Sequence, residues 1–340
     1  MTSSEYYDKA HALIEDGHLQ KATEVAESAI SKLSRRGMVP ELSEAYHLMG
    51  EIFYAQLNFE LARSWYEKAL SIDKKFQAEG VNYARTCNNL GVVEKALGNL
   101  EKAESWFLES LRIKDQVGDK QGLATCYHQL GTVAERRDAA AAAEGWYLES
   151  LAIEEELGNA EGTVQTLLSL HMLEQQRGDQ QAAELWFDKA SVTMLAIGTP
   201  TLAIKTGRML ASLDQFGLAA RCFHVATEAA NSNRESKLLS ECFLNLAEES
   251  SGCGEYGPVF DSYEGAIAFD IKSGSSRQAA RTSWKLAVLY LTHGDGKPNR
   301  LRSSVYWLFR SLQILIAGSA TKGAYQGTEA VSQKPPSEPE

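Results

Sequence analysis

A single spaced pattern returns along most of the chain: alanine, an aromatic residue four positions on, then alanine or serine three further. It reads Ala62, Tyr66, Ala69; Ala103, Phe107, Ser110; Ala143, Tyr147, Ser150; Ala183, Phe187, Ala190; and Ala219, Phe223, Ala226. The first four copies begin 40 or 41 residues apart. A fixed period of that length means a stack of small supersecondary units, because each unit is too short to bury an apolar face alone and must share it with its neighbours. Repeats, and not domains, are therefore what the 340 residues should be divided into.

Each unit contains two helical patterns. In the best example Leu123, Cys126, Tyr127, Leu130, Gly131 and Ala134 fall at three- and four-residue spacing on one face, followed by Ala143, Trp146, Tyr147, Ser150, Leu151 and Ile153 on another. Turn residues fall where the helices must stop: Gly98-Asn99, Arg137-Asp138 and Gly178-Asp179 inside units, and Gly118-Asp119, Gly158-Asn159 and Gly198-Thr199-Pro200 between them. Two amphipathic helices joined by so short a turn make an antiparallel pair.

Composition narrows the function. The net charge of −11 argues against a nucleic-acid binder, which needs clustered lysine and arginine for phosphates. Cys87, Cys126, Cys222, Cys242 and Cys253 are odd in number and widely spaced, as expected of core thiols in a reducing compartment. The start, Met1 to Leu13, lacks a basic segment followed by an apolar stretch, and no run approaches the ~18 apolar residues of a membrane span. A cytoplasmic protein with neither membrane nor nucleic acid as partner is the expectation.

The first helix of each unit carries a large-small step: Met49-Gly50, Leu90-Gly91, Leu130-Gly131, Leu170-His171, Leu210-Ala211, Leu246-Ala247 and Leu286-Ala287. With the alanine, aromatic, alanine pattern of the second helix, this resembles the tetratricopeptide repeat. The longer period, with Leu97-Gly98-Asn99 and Leu157-Gly158-Asn159, is similar to the class found in kinesin light chains, Leu-Gly-Asn repeat proteins and bacterial signalling proteins. The match is strongest over residues 42–195 and more divergent over 5–34 and 199–317. The resemblance implies an all-α, right-handed superhelical α-solenoid of about eight helix-turn-helix pairs over residues 1–318, followed by a disordered tail, 319–340, polar and without helical period.

Catalytic patterns are missing. Gly296-Lys297 precedes Pro298 without the earlier glycine of a phosphate-binding loop, and neither HExxH nor GxSxG occurs. His47 and His128 sit in equivalent positions two repeats apart, too distant to share a metal, and are expected at the surface or in the groove. No catalytic residue, cofactor or metal is expected. Trp65, Trp106, Trp146, Trp186 and Trp307 precede the aromatic slot, or its leucine in the last unit, and are expected to pack between successive second helices in preference to forming a ligand-gripping ladder.

By analogy with the repeat family, residues one, two and five before the leucine of the step face a concave groove. Those expected to bind are Arg85, Asn88 and Asn89; Thr125, His128 and Gln129; Gln165 and Ser169; Lys205 and Arg208; Glu241 and Asn245; and Arg281, Trp284 and Lys285. Amides and cations dominate despite an acidic chain, which favours a protein or extended peptide bearing acidic groups. Asn88-Asn89-Leu90 resembles a cargo-facing run of kinesin light chains; the ordered set by which some relatives clamp chaperone tails is missing. The function implied is a non-catalytic adaptor or scaffold, with an alternative in which the groove of a sensor segment holds an autoinhibitory or signal peptide. The last helix, 304–317, is apolar on nearly every side, so either the tail or a second copy in a homodimer is expected to cover it.

Overall fold

The repeat period is spelled out as helical hairpins. The computed structural model describes residues 3–314 apart from 36, 38, 78, 79, 231, 253–255, 294–303 and 305, and no strand occurs among them. Fifteen helices follow one another: α1 (Ser3–Glu15), α2 (Leu19–Ser34), α3 (Pro40–Ala55), α4 (Phe59–Gln77), α5 (Val81–Ala96), α6 (Leu100–Val117), α7 (Lys120–Arg136), α8 (Ala140–Leu157), α9 (Ala160–Arg177), α10 (Gln180–Ala196), α11 (Thr201–Ala211), α12 (Phe216–Ala229), α13 (Asn233–Gly252), α14 (Tyr256–Lys272) and α15 (Ser276–His293). A further helical segment, 306–314, packs on α15 through Trp307 and Ile314 and completes an eighth pair. Cys253, the loop at 294–298 and the tail 319–340 lie outside the described residues. The chain divides into two compact units, residues 1–187 and 188–340, with the boundary inside α10.

Close approach of the two helices of a pair depends on one small residue. A methyl group at Gly50 would lie 2.5 Å from the Tyr66 ring, at Gly91 2.6 Å from Phe107, at Gly131 2.5 Å from Tyr147 and at Gly207 2.4 Å from Phe223. Each glycine precedes its ring by sixteen residues. His171 holds the same place opposite Phe187, with ring centroids 5.8 Å apart and Nδ1 donating to the Ala183 carbonyl at 2.8 Å.

The sixth pair corrects the sequence reading. Its small residue is Gly207, four positions before the expected Leu210-Ala211 step. The turn gives independent support: seven residues beyond the small slot the backbone is left-handed in each pair, at Leu57 (φ 59°), Gly98 (82°), Asp138 (57°), Gly178 (82°) and Asp214 (59°). Only counting from Gly207 puts Asp214 in that series. Between pairs, Gly118 and Gly158 close helices in the left-handed form, and Asp119 and Asn159 then cap the next helix by accepting from the Gly122 and Gly162 amides.

Buried polar residues clip one pair to the next. Asp73, at the end of α4, accepts from Ser43 of its own pair at 2.5 Å and from Thr86 of the next at 2.8 Å. Its counterpart Lys114 donates to the Gly122 carbonyl at 3.2 Å. In the aromatic pattern, the serines that replace alanine are not orphaned, since Ser110 donates to the Ala84 carbonyl at 2.7 Å and Ser150 to that of Ala124 at 2.9 Å. Trp106 and Trp146 pack against the preceding second helix, in clusters with Tyr66 and with Phe107 respectively. Trp106 joins the cluster of Tyr66, Leu70 and Leu90, and Trp146 stacks on Tyr127 at 5.7 Å. The expectation of a surface or groove histidine is overturned for His47, only 1% exposed, because it lies on the packed side of the first helix; His171, equally buried, fills the small slot.

Candidate functional site

Two cavities recur at one place in the repeat. The larger, of about 540 Å³, lies in unit 2 and includes Arg208, Ala211, Ser212, Phe223 and Asn245 in its wall. The smaller, of about 300 Å³, lies in unit 1 and includes Glu51, Tyr54, Ala55, Tyr66 and Asn89. Counted from Gly207 and Gly50, the first four of each set are the residues one, four, five and sixteen positions later. The asparagine of each lies two before the small residue of the following pair, Ala247 or Gly91. Helical periodicity explains the grouping: positions one and five are a turn apart on the first helix, and the ring opposite forms the floor.

In the unit-2 cavity Arg208 of α11 and Asn245 of α13 face one space with Phe216 and Phe223. Arg208 forms no ion pair with a described residue; its guanidinium contacts the Cys242 thiol, which burial pushes above its ordinary pKa. A cation beside an amide in a partly apolar cavity is suited to a carboxylate, which takes charge-assisted hydrogen bonds from both. A protonated Cys242 is no nucleophile.

In the unit-1 cavity the cation is replaced by Glu51 of α3. Asn89 of α5 donates to His47 Nε2 at 3.0 Å, which places the His47 proton on Nδ1, 3.2 Å from Glu51 Oε1. Burial holds the His47 pKa below its ordinary value, so the ring is neutral near pH 7. Burial alone would raise the Glu51 carboxyl, but contact with His47 and the charges of His11 and Arg85 outweigh it and bring it below the usual range. Glu51 is thus ionised.

The other expected groove residues divide in two. Several spend their polar groups within the protein: Asn88 donates to Asn89 at 3.4 Å, Gln129 accepts from Lys95 at 2.6 Å, His128 Nδ1 lies 3.2 Å from the Thr166 hydroxyl, and Thr125 and Ser169 bond the Gln121 and Gln165 carbonyls of their own helices. Arg85 is half-buried, 5.9 Å from the Tyr7 ring centroid, and lines neither cavity. Gln165, Lys205, Glu241, Arg281, Trp284 and Lys285 are exposed, with Lys285 paired to Glu248 at 3.1 Å. Of the expected set, Asn89, Arg208 and Asn245 line these two cavities. Glu51 was missed because it follows the small residue, whereas the sequence argument looked only at positions preceding the leucine.

No group of three metal-ligating side chains occurs among the described residues, and no described helix is long and apolar enough to cross a membrane. Helix pairs stacked around small-residue slots define a helical-repeat protein. Residues 41–116 and 82–156 match a model of the tetratricopeptide repeat, so repeats of that family occupy the stretch 41–156. Among solved structures it is similar to BtubC (BKLC) from P. vanneervenii (25% identity, TM-score 0.51, 55% of this chain and 78% of that one). It is also similar to a putative kinesin light chain from Podosopora anserina with nearly identical TPR-like repeats (15%, 0.50, 57% and 95%). A third is a Rap protein complexed with competence and sporulation factor (18%, 0.52, 79% and 75%). The last two likenesses carry the fold alone. No curated protein sequence matches.

Proposed function

We propose that this chain is a non-catalytic adaptor or scaffold that holds a protein or extended peptide on the face lined by its first helices, and that the Arg208–Asn245 cavity receives an acidic group of that partner. The observation that carries the reading is the convergence of these two side chains, from different helix pairs, on one cavity of about 540 Å³. That volume suits a side chain and its neighbours. Arg208 forms no ion pair with a described carboxylate, although Asp214 lines the same cavity, and Asn245 can bond a peptide backbone in both directions.

The fold of the Rap protein, solved in complex with competence and sporulation factor, favours a second form of the same reading, in which the occupant is a signal peptide. Both forms have the same test. Octapeptides with a central glutamate or glutamine are titrated against the full chain and against Arg208→Glu. The glutamate peptides should bind the natural chain about tenfold or more tightly than their glutamine counterparts and lose that advantage in the variant. Equal binding of the two peptide sets, or an advantage that survives Arg208→Glu with the helical fold intact, contradicts the assignment.

A further inference from the structure

The unit-2 cavity holds a second charge. Asp214 shares its wall with Arg208, yet carboxylate and guanidinium form no ion pair with each other or with any other described residue. Both side chains are exposed, so each can be solvated and neither requires a partner on its own account. What they add is a pattern: opposite charges around one space of about 540 Å³, with the rings of Phe216 and Phe223 in the same wall.

The backbone fixes where the second charge stands. Just beyond α11, Asp214 is left-handed (φ 59°) and its amide donates to the Ala211 carbonyl at 3.0 Å, while the Gln215 amide donates to that of Leu210 at 2.9 Å. These bonds satisfy the end of the helix, and buried Phe216 holds the chain immediately afterwards. Aspartate tolerates this conformation, so the turn accounts for the residue type. It does not account for a carboxylate in the wall, since Asp138, which holds the same place in unit 1, lines neither cavity.

An entering group has to match both charges. A lone carboxylate gains Arg208 and Asn245 but meets Asp214 as a like charge, and a lone cation has the converse difficulty. A segment that carries one of each gains from both. In an extended peptide, residues i and i+2 project from one face about 7 Å apart, so an acidic and a basic side chain at that spacing enter the cavity together.

We propose that the unit-2 cavity recognises a pair of opposite charges on a bound peptide, an acidic side chain at Arg208 and a lysine or arginine two residues away at Asp214. The proposal rests on the assignment of Arg208 to an acidic group and supplies the other half of its specificity.

The test uses the full chain and octapeptides with glutamate and lysine two residues apart, in both orders, beside counterparts in which norleucine replaces the lysine or glutamine the glutamate. Affinities are read by fluorescence polarisation to about 1 mM, the weak end of measurable affinity. The better of the two charged orders should bind about fivefold more tightly than its norleucine counterpart, a modest factor because Asp214 is exposed. Asp214→Asn and Asp214→Gly should each remove that gain and tighten the norleucine peptide, which no longer meets a like charge; both new residues suit a positive φ, so the fold is kept. Asp138→Gly, the same change in unit 1, should alter neither affinity. Free 6-aminohexanoate, which carries both charges, should displace the peptide only far above the peptide's own concentration, which separates a peptide segment from a small zwitterion as the occupant. A preference for glutamate over glutamine without any gain from lysine, a gain that survives both Asp214 variants or is lost equally in Asp138→Gly, or displacement by the small zwitterion at peptide-like concentration overturns this proposal and leaves the Arg208 assignment standing. No preference for glutamate over glutamine overturns both.

Discussion

Glu51 in unit 1 and Arg208 in unit 2 hold the same position in the repeat, the residue after the small slot, and each looks past an aromatic floor toward an asparagine of the following pair. The framework is shared while the charge is inverted. The framework residues are set by packing, because the small residue and its ring must interlock for the pair to close. The following position lies at the wall of a cavity, where Arg208 is exposed and Glu51 partly so, and bears no such demand. Two neighbouring residues on one helix thus answer to different constraints, one bound by packing and the other free to change its charge.

That separation can be broken most forcefully at the slot itself. Gly207→Leu should lower stability by about 3 kcal/mol or more, since even a methyl group there stands 2.4 Å from Phe223. Gly217→Ala, on the same hairpin with nothing within 4 Å, should be neutral or stabilising by up to about 1 kcal/mol. Thermal melts of both check the register; similar melting temperatures would return the sixth pair to the Leu210-Ala211 step.

A smaller effect should follow from pH. Burial, with the Lys95 charge, lowers the His128 pKa to about 4. The unfolded chain then binds more protons than the folded one between pH 6.5 and 4, so stability falls as pH drops through that window. The ring keeps some exposure, and the loss should be about 1 to 2 kcal/mol. Denaturant titrations at pH 7 and 4.5 would show it, and His128→Gln should flatten the slope. Smallest of all, Asn245→Ala should weaken an acidic peptide by about 1 kcal/mol, one backbone hydrogen bond, without shifting the melting temperature.

The hairpins were legible in the sequence because glycine and alanine slots, large aromatics and turn glycines repeat at fixed spacing. His171 could be placed in its slot for the same reason, although its burial could not. The sixth pair was misregistered because α11 is short and ends Met209-Leu210-Ala211, which mimics the large-small step. The sixteen-residue spacing from Gly207 to Phe223 was the signal that could have corrected it. Arg208 was selected from the wrong reference yet lines a cavity, since its distance from Gly207 is the one that matters. Glu51 left no mark in the pattern. Whether a carboxylate is paired or faces a cavity depends on what helices of three different pairs bring near it, and spacing does not record that.

The most direct test of the role given to Arg208 uses Glu51, its equivalent in unit 1, as the control. Affinities of glutamate-centred and glutamine-centred octapeptides would be measured for the natural chain, Arg208→Glu and Glu51→Gln, each confirmed folded by circular dichroism. Arg208→Glu should abolish a glutamate advantage of about tenfold or more, while Glu51→Gln should leave it in place. If Arg208→Glu leaves the advantage, or Glu51→Gln removes it as well, the unit-2 cavity is not the acid-selective site proposed for it.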